Sequence, residues 1–210
     1  MIKKNALIDL RIDKNQIYNE QREQIDIKWF KALKKISYNP LILSSYSYVN
    51  KKDIEQFCLT NKIKLIILSG GGNIYSNKNY EKIRLKFSYN LINVALENRI
   101  KLIGICRGAQ AILKFYNIKT QKIKNHVRKK NYLNLTKKIN DLPNKTRVTC
   151  YHNYAIMSNK LNKSFESIYE ANDGTSEVFF NKKRKQIGIM WHPERENKDL
   201  LFKKITKLIN

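Results

Sequence analysis

Cys106 shows the strongest signs of chemical reactivity in this sequence. It lies in residues 104–108, GICRG, between an apolar run typical of a buried strand and a helical pattern. A strand that turns sharply into a helix needs small residues two positions before and two after the turning residue. The sulfur is then expected at the amino end of a helix, where backbone amides favour a thiolate. This setting favours an activated nucleophile over a buried structural cysteine, which is the commoner role of a lone cysteine.

His192 and Glu194 are the expected partners of that nucleophile. A thiolate that attacks a carbonyl needs a base and a group that orients the base. His192 follows an apolar strand-like run, and Glu194 comes two residues later in the sequence WHPE. Residues i and i+2 of an extended chain point the same way, so the Glu194 carboxylate can fix the tautomer of the imidazole. A single histidine is more often a satisfied polar residue, but this pair in a chain that also carries GxCxG indicates catalysis.

A glycine-rich loop, SGGGN at residues 69–73, offers amides for a developing oxyanion. It follows an apolar strand, and ligands of open parallel sheets bind at the carboxyl ends of the strands. We expect the amide of Gly71, with Gly72 as the alternative, to act together with the amide of Arg107. The loop has no Lys-Ser or Lys-Thr continuation, which argues against an ATP phosphate loop.

The order of strand and helix patterns predicts an α/β fold with one domain, residues 1–210. Strands and helices alternate up to residue 118, which is typical of a mostly parallel sheet with helices on both faces, and shorter strands follow. The predicted strands are 6–12, 41–43, 63–68, 99–105, 132–135, 147–151, 167–171, 178–180 and 186–191, and the predicted helices are 24–36, 53–60, 80–98, 107–116 and 199–209.

The net charge is +25, from 42 Lys and Arg residues against 17 Asp and Glu residues. Such an excess can indicate nucleic acid, an anionic membrane surface or an anionic substrate. Here lysine is spread along the chain with much asparagine and isoleucine, as an AT-rich coding bias would leave it. The densest clusters, 122–130 and 182–185, lack interleaved aromatic residues, which argues against nucleic-acid binding. We predict that segment 122–130 lines the leaving-group side of the site and favours a phosphate-bearing substrate.

Cysteine and histidine spacing predicts a reduced protein without a metal. Three cysteines are an odd number without framework spacing, so disulfides are not expected. His126, His152 and His192 are scattered and no cysteine pair accompanies them, which argues against a zinc site. The chain has no apolar run of membrane-spanning length and is charged from its third residue. We expect a cytoplasmic protein that needs neither membrane nor cofactor.

Five motifs, in this order and spacing, resemble the class I glutamine amidotransferases: SGGGN, GICRGAQ, TCYHNYAI, ANDGTSE and GIMWHPE. The resemblance covers nearly the whole chain. It implies a flavodoxin-like three-layer fold and a Cys-His-Glu triad of Cys106, His192 and Glu194. The GxCRGxQ motif resembles the γ-glutamyl-γ-aminobutyrate hydrolase branch, peptidase C26. The segments IDLRID, SGGGN, AxDGxxE and GIMWHPEREN are similar to those of the small γ-glutamyl-CDP-amidate hydrolases of capsule phosphoramidate synthesis.

The resemblance implies hydrolysis of a small γ-glutamyl amide, nucleotide-linked in the closer comparison, through a γ-glutamyl thioester. It implies that the α-amino and α-carboxylate groups of the substrate are held by Gln110 and by the backbone around His152, Asn153 and Tyr154. The alternative is a glutaminase subunit that supplies ammonia to a separate synthase, and a non-catalytic anion or nucleic-acid binder is a third possibility. The chain departs from the family pattern in two ways: its glycine loop lacks the usual proline, and Cys150 replaces a more usual serine.

Overall fold

The structure is a computed structural model that describes residues 4–48, 50–196 and 198–210. Its helices are α1 (Lys28–Lys35), α2 (Lys51–Thr60), α3 (Asn79–Glu97), α4 (Arg107–Phe115) and α5 (Asp199–Thr206). Its strands are β1 (Lys4–Asp9), β2 (Arg11–Asn15), β3 (Glu20–Gln24), β4 (Tyr38–Leu43), β5 (Ile63–Leu68), β6 (Lys101–Ile105), β7 (Gln121–Lys122), β8 (Val127–Leu135), β9 (Lys145–Tyr151), β10 (Tyr154–Ala155), β11 (Glu166–Ala171), β12 (Ser176–Asn181) and β13 (Gln186–Ile189).

A nine-stranded mixed sheet lies at the centre, in the order β4-β1-β5-β6-β13-β12-β11-β8-β9. Neighbours are parallel from β4 to β13. They are antiparallel from β13 to β9. The predicted α/β class is confirmed. The parallel arrangement holds for the first half of the sheet only, because the short strands after residue 118 are joined by turns and not by crossover helices.

Helices cover both faces of the sheet, as predicted. Alternation along β1 explains the two layers, since successive side chains of a strand point to opposite faces. Ala6 and Ile8 belong to the core beneath α1 and α5, where the rings of Trp29 and Phe202 meet edge to face. Leu7 belongs to the other core, beneath α2, α3 and α4. Among the described residues, no helix combines the length and the apolar character needed to cross a membrane.

The strands β2 and β3 form a hairpin that was not predicted from the sequence. Strand β1 ends at Asp9, where the prediction continued to residue 12, and α1 begins at Lys28, where the predicted helix began at residue 24. Both hairpin strands are mostly polar, and Ile12 is the one buried residue in them, so neither carries the apolar pattern that reveals a strand. The carboxylate of Glu23 accepts hydrogen bonds from the amide and hydroxyl of Ser45, which anchors the hairpin beside the sheet.

Candidate active site

Cys106 occupies the sharp turn between β6 and α4, as predicted. Its backbone has φ 50° and ψ −102°, in the left-handed half of conformational space that side chains disfavour. A Cβ on Gly104 would lie 2.5 Å from the backbone of Gly108, and one on Gly108 would lie 2.1 Å from the carbonyl oxygen of Leu68. Both glycines are therefore required sterically. The Cys106 amide donates a 2.7 Å hydrogen bond to Ile189 at the end of β13, which ties the turn to the next strand.

His192 and Glu194 form a buried pair beside this turn. His192 Nδ1 lies 2.6 Å from Glu194 Oε1, and both side chains are less than a tenth exposed. The predicted contact is present, but its backbone basis was predicted wrongly. The strand ends at Ile189, and Pro193–Arg195 forms a single 3-10 turn in place of extended chain. Proline fits the first position of such a turn because it has no amide to leave unpaired and its φ is already helical.

The electrostatic setting of His192 favours its protonated form. Burial of the imidazole lowers its pKa. Hydrogen bonds with Cys106 and Glu194, together with the negative charge of these two partners, outweigh burial and raise the pKa of His192 to about 9. An imidazolium held between a thiolate and a carboxylate is the arrangement that a cysteine nucleophile with a histidine base requires.

Three further groups fix the position of the His192 ring. Gly70 packs directly against it, because a Cβ there would lie 2.5 Å from His192 Cε1. The ring of Tyr151 meets it edge to face at 5.7 Å between centroids, and the guanidinium of Arg195 lies over the ring of Tyr151 at 5.1 Å. With these contacts the imidazole has little freedom to rotate, which preorganises a base.

A buried charge network holds the glycine loop. Gly71 and Gly72 have φ of 85° and 81°, values that favour glycine. Arg84 of α3 donates to the carbonyl oxygens of Gly71 at 2.6 Å and Ser69 at 3.0 Å. Asp9, at the end of β1, pairs with Arg84 at 3.3 Å and accepts a hydrogen bond from the amide of Ser69. The loop conformation thus depends on two charged side chains that are at most 1% exposed.

Glu81 and Arg107 extend this network towards the nucleophile. Glu81 Oε1 accepts a 2.9 Å hydrogen bond from the amide of Asn73, and Glu81 Oε2 lies 3.4 Å from Arg107 Nε. Burial and the positive charge of Arg84 lower the pKa of Arg107 to about 9, although the carboxylates of Asp9 and Glu81 oppose this shift. The side chain that follows Cys106 is therefore part of the buried network, and its amide lies in the first turn of α4, where amides lack intrahelical partners.

The predicted substrate-binding residues lie partly together. Gln110 Nε2 donates to the carbonyl oxygen of Tyr154 at 3.1 Å, and the carbonyl oxygen of Asn153 accepts from the amide of Ile123. The ring of Tyr154 stacks at a tilt on Tyr75, with 4.8 Å between centroids. The structure thus joins the helix after the nucleophile to the segment after β9, two regions that were expected to meet at the glutamyl site.

The His152 side chain belongs to a second buried cluster, in the antiparallel half of the sheet. His126, Cys150, His152 and Glu177 each offer a ligand atom, and these atoms lie within 4.8 Å of one another. Scattered histidines were therefore no sound reason to exclude a metal site, because the fold brings two of the three together. Burial opposes ionisation of Glu177, but the charge of His152 and hydrogen bonds from both imidazoles lower the pKa of Glu177 to about 2.

A large cavity lies at the edge of the sheet opposite to Cys106. It has a volume of about 490 Å³ and is lined by Lys4, Tyr38, Ile63 and Lys101, which stand at the starts of parallel strands. Ligands of such sheets bind at the opposite, carboxyl end, where Cys106 and the glycine loop lie. The candidate site is therefore identified by its reactive side chains at the carboxyl ends of the strands, and not by the volume of a cavity.

Four residues of this site were not predicted from the sequence: Asp9, Gly70, Glu81 and Arg84. Asp9 carried a usable signal, because a charged residue ends an otherwise apolar strand at the edge where ligands bind. Glu81 and Arg84 lie three apart on one face of α3, and both are buried. Their pairing with a loop and a distant strand depends on tertiary packing that helical periodicity does not reveal.

Comparisons with known proteins identify the family of the chain. Residues 24–207 match the family model of the class I glutamine amidotransferases. The chain is 33% identical over 193 residues to the γ-glutamyl-CDP-amidate hydrolase of Campylobacter jejuni, covering 90% of each chain. It is 26% identical over 171 residues to a glutamine-hydrolysing GMP synthase subunit of Methanococcus vannielii, covering 76% of this chain and 81% of the relative.

Solved structures share the fold. A GMP synthase subunit from Thermoplasma acidophilum superposes with a TM-score of 0.72 at 18% identity, covering 100% of this chain and 95% of the other. A glutamine amidotransferase from Thermotoga maritima gives a TM-score of 0.67 at 16% identity, covering 99% of this chain and 83% of the other. The family match over most of the chain and the 33% identical hydrolase together show that this protein belongs to the class I glutamine amidotransferases, a family of enzymes.

Proposed function

We propose that this enzyme hydrolyses a γ-glutamyl amide with Cys106 as nucleophile, His192 as base and Glu194 as the group that orients the base. The observation that carries the proposal is a cysteine at a strained strand-to-helix turn beside a buried His-Glu pair joined at 2.6 Å. The two required glycines of the turn and the raised pKa of His192 support it.

The first step is acyl transfer to sulfur. The Cys106 thiolate attacks the γ-carbonyl carbon, and the oxyanion accepts hydrogen bonds from the amides of Gly71 and Arg107. His192 gives its proton to the leaving nitrogen, the carbon–nitrogen bond breaks, and a γ-glutamyl thioester remains on Cys106. The support for Gly71 is the Arg84 and Asp9 network, which fixes the glycine loop on the strand beside β6.

The second step releases glutamate. Neutral His192 takes a proton from water, and the resulting hydroxide attacks the thioester carbonyl. The tetrahedral intermediate uses the same oxyanion amides, and its collapse breaks the carbon–sulfur bond. The Glu194 carboxylate stabilises the imidazolium that is present before the first step and forms again in the second. We propose that Gln110 and the backbone of His152, Asn153 and Tyr154 hold the α-amino and α-carboxylate groups throughout.

The preferred substrate in this proposal is a γ-glutamyl adduct with a phosphate-bearing leaving group. The support is the relative from C. jejuni, a γ-glutamyl-CDP-amidate hydrolase that matches 90% of the chain. The basic segment 122–130 adds to it, because Val127 at the start of β8 pairs with Tyr151, whose ring contacts His192. We also propose a role in capsule biosynthesis, which rests on the motif resemblance to the γ-glutamyl-CDP-amidate hydrolases of capsule phosphoramidate synthesis. The three free cysteines agree with a reducing, cytoplasmic setting.

Glutamate release from matched substrates tests the proposal. The purified protein is assayed on glutamine, γ-glutamyl-γ-aminobutyrate and γ-glutamyl-CDP-amidate, with Cys106→Ala as the control. We expect kcat/KM to be highest for γ-glutamyl-CDP-amidate and turnover to be lost in the control. Turnover that survives in Cys106→Ala would refute the nucleophile.

A glutaminase subunit of a separate synthase is the competing proposal. Its support is the 26% identical relative from GMP synthase, which is a weaker match than the hydrolase. Slow turnover of glutamine alone in the same assay, with no activity on either γ-glutamyl adduct, would favour this proposal over the dedicated hydrolase.

A further inference from the structure

We propose that a structural zinc ion is bound by four buried side chains outside the proposed triad of Cys106, His192 and Glu194: His126, Cys150, His152 and Glu177. These residues come from the segment before β8, from β9 and its end, and from β12, so one ion would cross-link three parts of the antiparallel half of the sheet. All four side chains are at most 3% exposed. The proposal does not depend on the catalytic role of Cys106.

The ligand atoms already have nearly the spacing of a tetrahedral site. Zinc–nitrogen and zinc–sulfur bonds of about 2.1 and 2.3 Å place ligand atoms roughly 3.3–3.8 Å apart. Oε1 of Glu177 lies 3.3 Å from Nδ1 of His126 and 3.3 Å from Nε2 of His152. Oε2 of Glu177 lies 3.5 Å from Sγ of Cys150. All four atoms lie within 4.8 Å, so the widest pair must close by about 1 Å around an ion.

The donor types select zinc over the hard cations. One sulfur, two imidazole nitrogens and one carboxylate oxygen form a mixed set that suits zinc, whereas calcium and magnesium prefer oxygen ligands alone. Four protein ligands fill a tetrahedral zinc shell and leave no open position for water, which marks a structural and not a hydrolytic site.

His126 has the outer partner that zinc-binding histidines need. Its Nε2 lies 2.8 Å from Oδ2 of Asp173, while its Nδ1 faces Glu177. A carboxylate on the far nitrogen fixes the tautomer and raises the basicity of the nitrogen that binds metal. The hydroxyl of Thr175 in turn donates a 2.7 Å hydrogen bond to Asp173.

An ion has a path to these ligands. A cavity of about 230 Å³ opens beside His126 and is lined by Asn131 and Asp173 among others. The side chain of Asp173 is 44% exposed, so solvent reaches the outer face of the His126 ring. Asn131 Nδ2 lies 3.1 Å from His126 Nδ1 and must turn aside when the ion binds.

Metal analysis of the whole purified chain tests the proposal. After dialysis against metal-free buffer, elemental analysis should find about one zinc per chain, and zinc added after chelation should raise Tm. Cobalt substituted for zinc should give visible bands of tetrahedral intensity and a sulfur-to-cobalt charge-transfer band. Zinc below about a tenth of an equivalent, with no change of Tm on adding zinc, would overturn the proposal, and so would stoichiometric binding of another metal in its place.

Variants assign the ligands. Cys150→Ser should remove the charge-transfer band, and Asp173→Asn should weaken zinc binding roughly 10- to 100-fold without touching the metal. Asp173 lies at the surface, so its variant tests the site even where Cys150→Ser fails to fold. Cys58→Ser is the matched control, since Cys58 is buried in α2 and should leave the cobalt spectrum unchanged. Zinc retained in Cys106→Ala separates this site from the proposed active site, whereas an unchanged charge-transfer band in Cys150→Ser would overturn the ligand assignment.

Discussion

Two sets of cysteine, histidine and glutamate lie in this molecule, one in each half of the sheet. Cys106, with His192 and Glu194, stands where the parallel strands end. Cys150, with His152 and Glu177, lies on the antiparallel strands, and His126 joins it. The same residue types therefore occupy two environments, and the comparison separates what the side chains supply from what the backbone supplies.

The backbone distinguishes the two cysteines. Cys106 has φ 50° and begins a helix, so amides without intrahelical partners lie beside its sulfur. Cys150 lies within strand β9, is fully buried, and pairs with a residue of β8 on its neighbouring strand. Burial and the charge of Glu177 raise the pKa of the Cys150 thiol far above its ordinary value. Position, and not residue type, makes one cysteine a candidate nucleophile and the other a candidate ligand.

The carboxylates differ in the same way. Glu194 contacts one imidazole, and that imidazole faces the sulfur of Cys106. Glu177 lies between two imidazoles whose rings are 4.9 Å apart, with the thiol of Cys150 at 3.5 Å. A carboxylate that contacts one histidine can orient a catalytic base. A carboxylate that contacts two histidines and a thiol can complete a set of metal ligands.

The largest expected effect separates the two cysteines by reactivity. Cys106→Ala should lower kcat by roughly 10⁴-fold or more, because the covalent intermediate cannot form. Iodoacetamide should label Cys106 in the folded protein and abolish activity in step with labelling. Burial raises the pKa of Cys58 to about 12, so Cys58 should stay unlabelled, and Cys58→Ala should keep full activity. If mass spectrometry found Cys150 labelled before Cys106, the proposed difference in reactivity between the two cysteines would be wrong.

A second effect concerns the charge of His192. Glu194→Gln should lower kcat by at least about a hundredfold, because the imidazolium loses its carboxylate. Since the pKa of His192 is raised from 6.5 to about 9, the stability that its protonation contributes is complete below pH 6.5 and is lost as the pH rises through 9. In Glu194→Gln this loss should be smaller and should be complete at lower pH, because the pKa of His192 in the folded protein falls while its pKa in the unfolded chain stays the same. Urea unfolding of the wild type and of Glu194→Gln from pH 6 to 10 measures this change in the free energy of unfolding. If the free energy depended on pH identically in the two proteins, Glu194 would not stabilise the protonated form of His192.

A third effect tests the network beneath the glycine loop, which has no counterpart in the second cluster. Arg84→Met should cost about 3–5 kcal/mol of unfolding free energy, because it leaves Asp9 charged, buried and unpaired. It should also lower kcat, since three loop carbonyls lose their donor. Lys51→Met is the control, because the exposed pair of Lys51 with Glu97 should contribute little to stability. If both variants had the same free energy of unfolding in urea, the Asp9–Arg84 network would not stabilise the fold as proposed.

Local pattern was enough to predict most of the elements. Strand β5 was predicted with the bounds Ile63–Leu68, because a continuous apolar run between polar turns has few other structures available. The β2–β3 hairpin was missed because its strands are polar and its anchor, Glu23 on Ser45, joins residues 22 positions apart. Strand β8 begins at Val127, five residues before the prediction, since its exposed basic end carries no apolar pattern.

The candidate site was predictable where its parts are local. GxCxG and HxE each encode their geometry within a few residues, so Cys106, His192 and Glu194 were identified from spacing. The Asp9–Arg84 pair was not, because its members are 75 residues apart and depend on how α3 packs on the sheet. The cluster around Glu177 was not predicted, since its assembly depends on the pairing of β8, β9, β11 and β12. Which residues meet in the Asp9–Arg84 pair and in the cluster around Glu177 depends on strand pairing and its register, which a single sequence does not reveal.

The smallest expected effect concerns the positive charge of the basic segment 122–130, and the experiment asks whether that charge serves the proposed active site. Replacing Lys129 and Lys130 by serine should raise KM for a nucleotide-linked substrate by a few-fold, about 2- to 10-fold, with kcat unchanged, because exposed charges act through a screened field. The effect should vanish at high salt and be absent for glutamine. The matched control replaces Lys182 and Lys183, an exposed lysine pair on the turn between β12 and β13. An equal rise of KM in the control would show that net charge, and not the position of the basic segment, attracts the substrate.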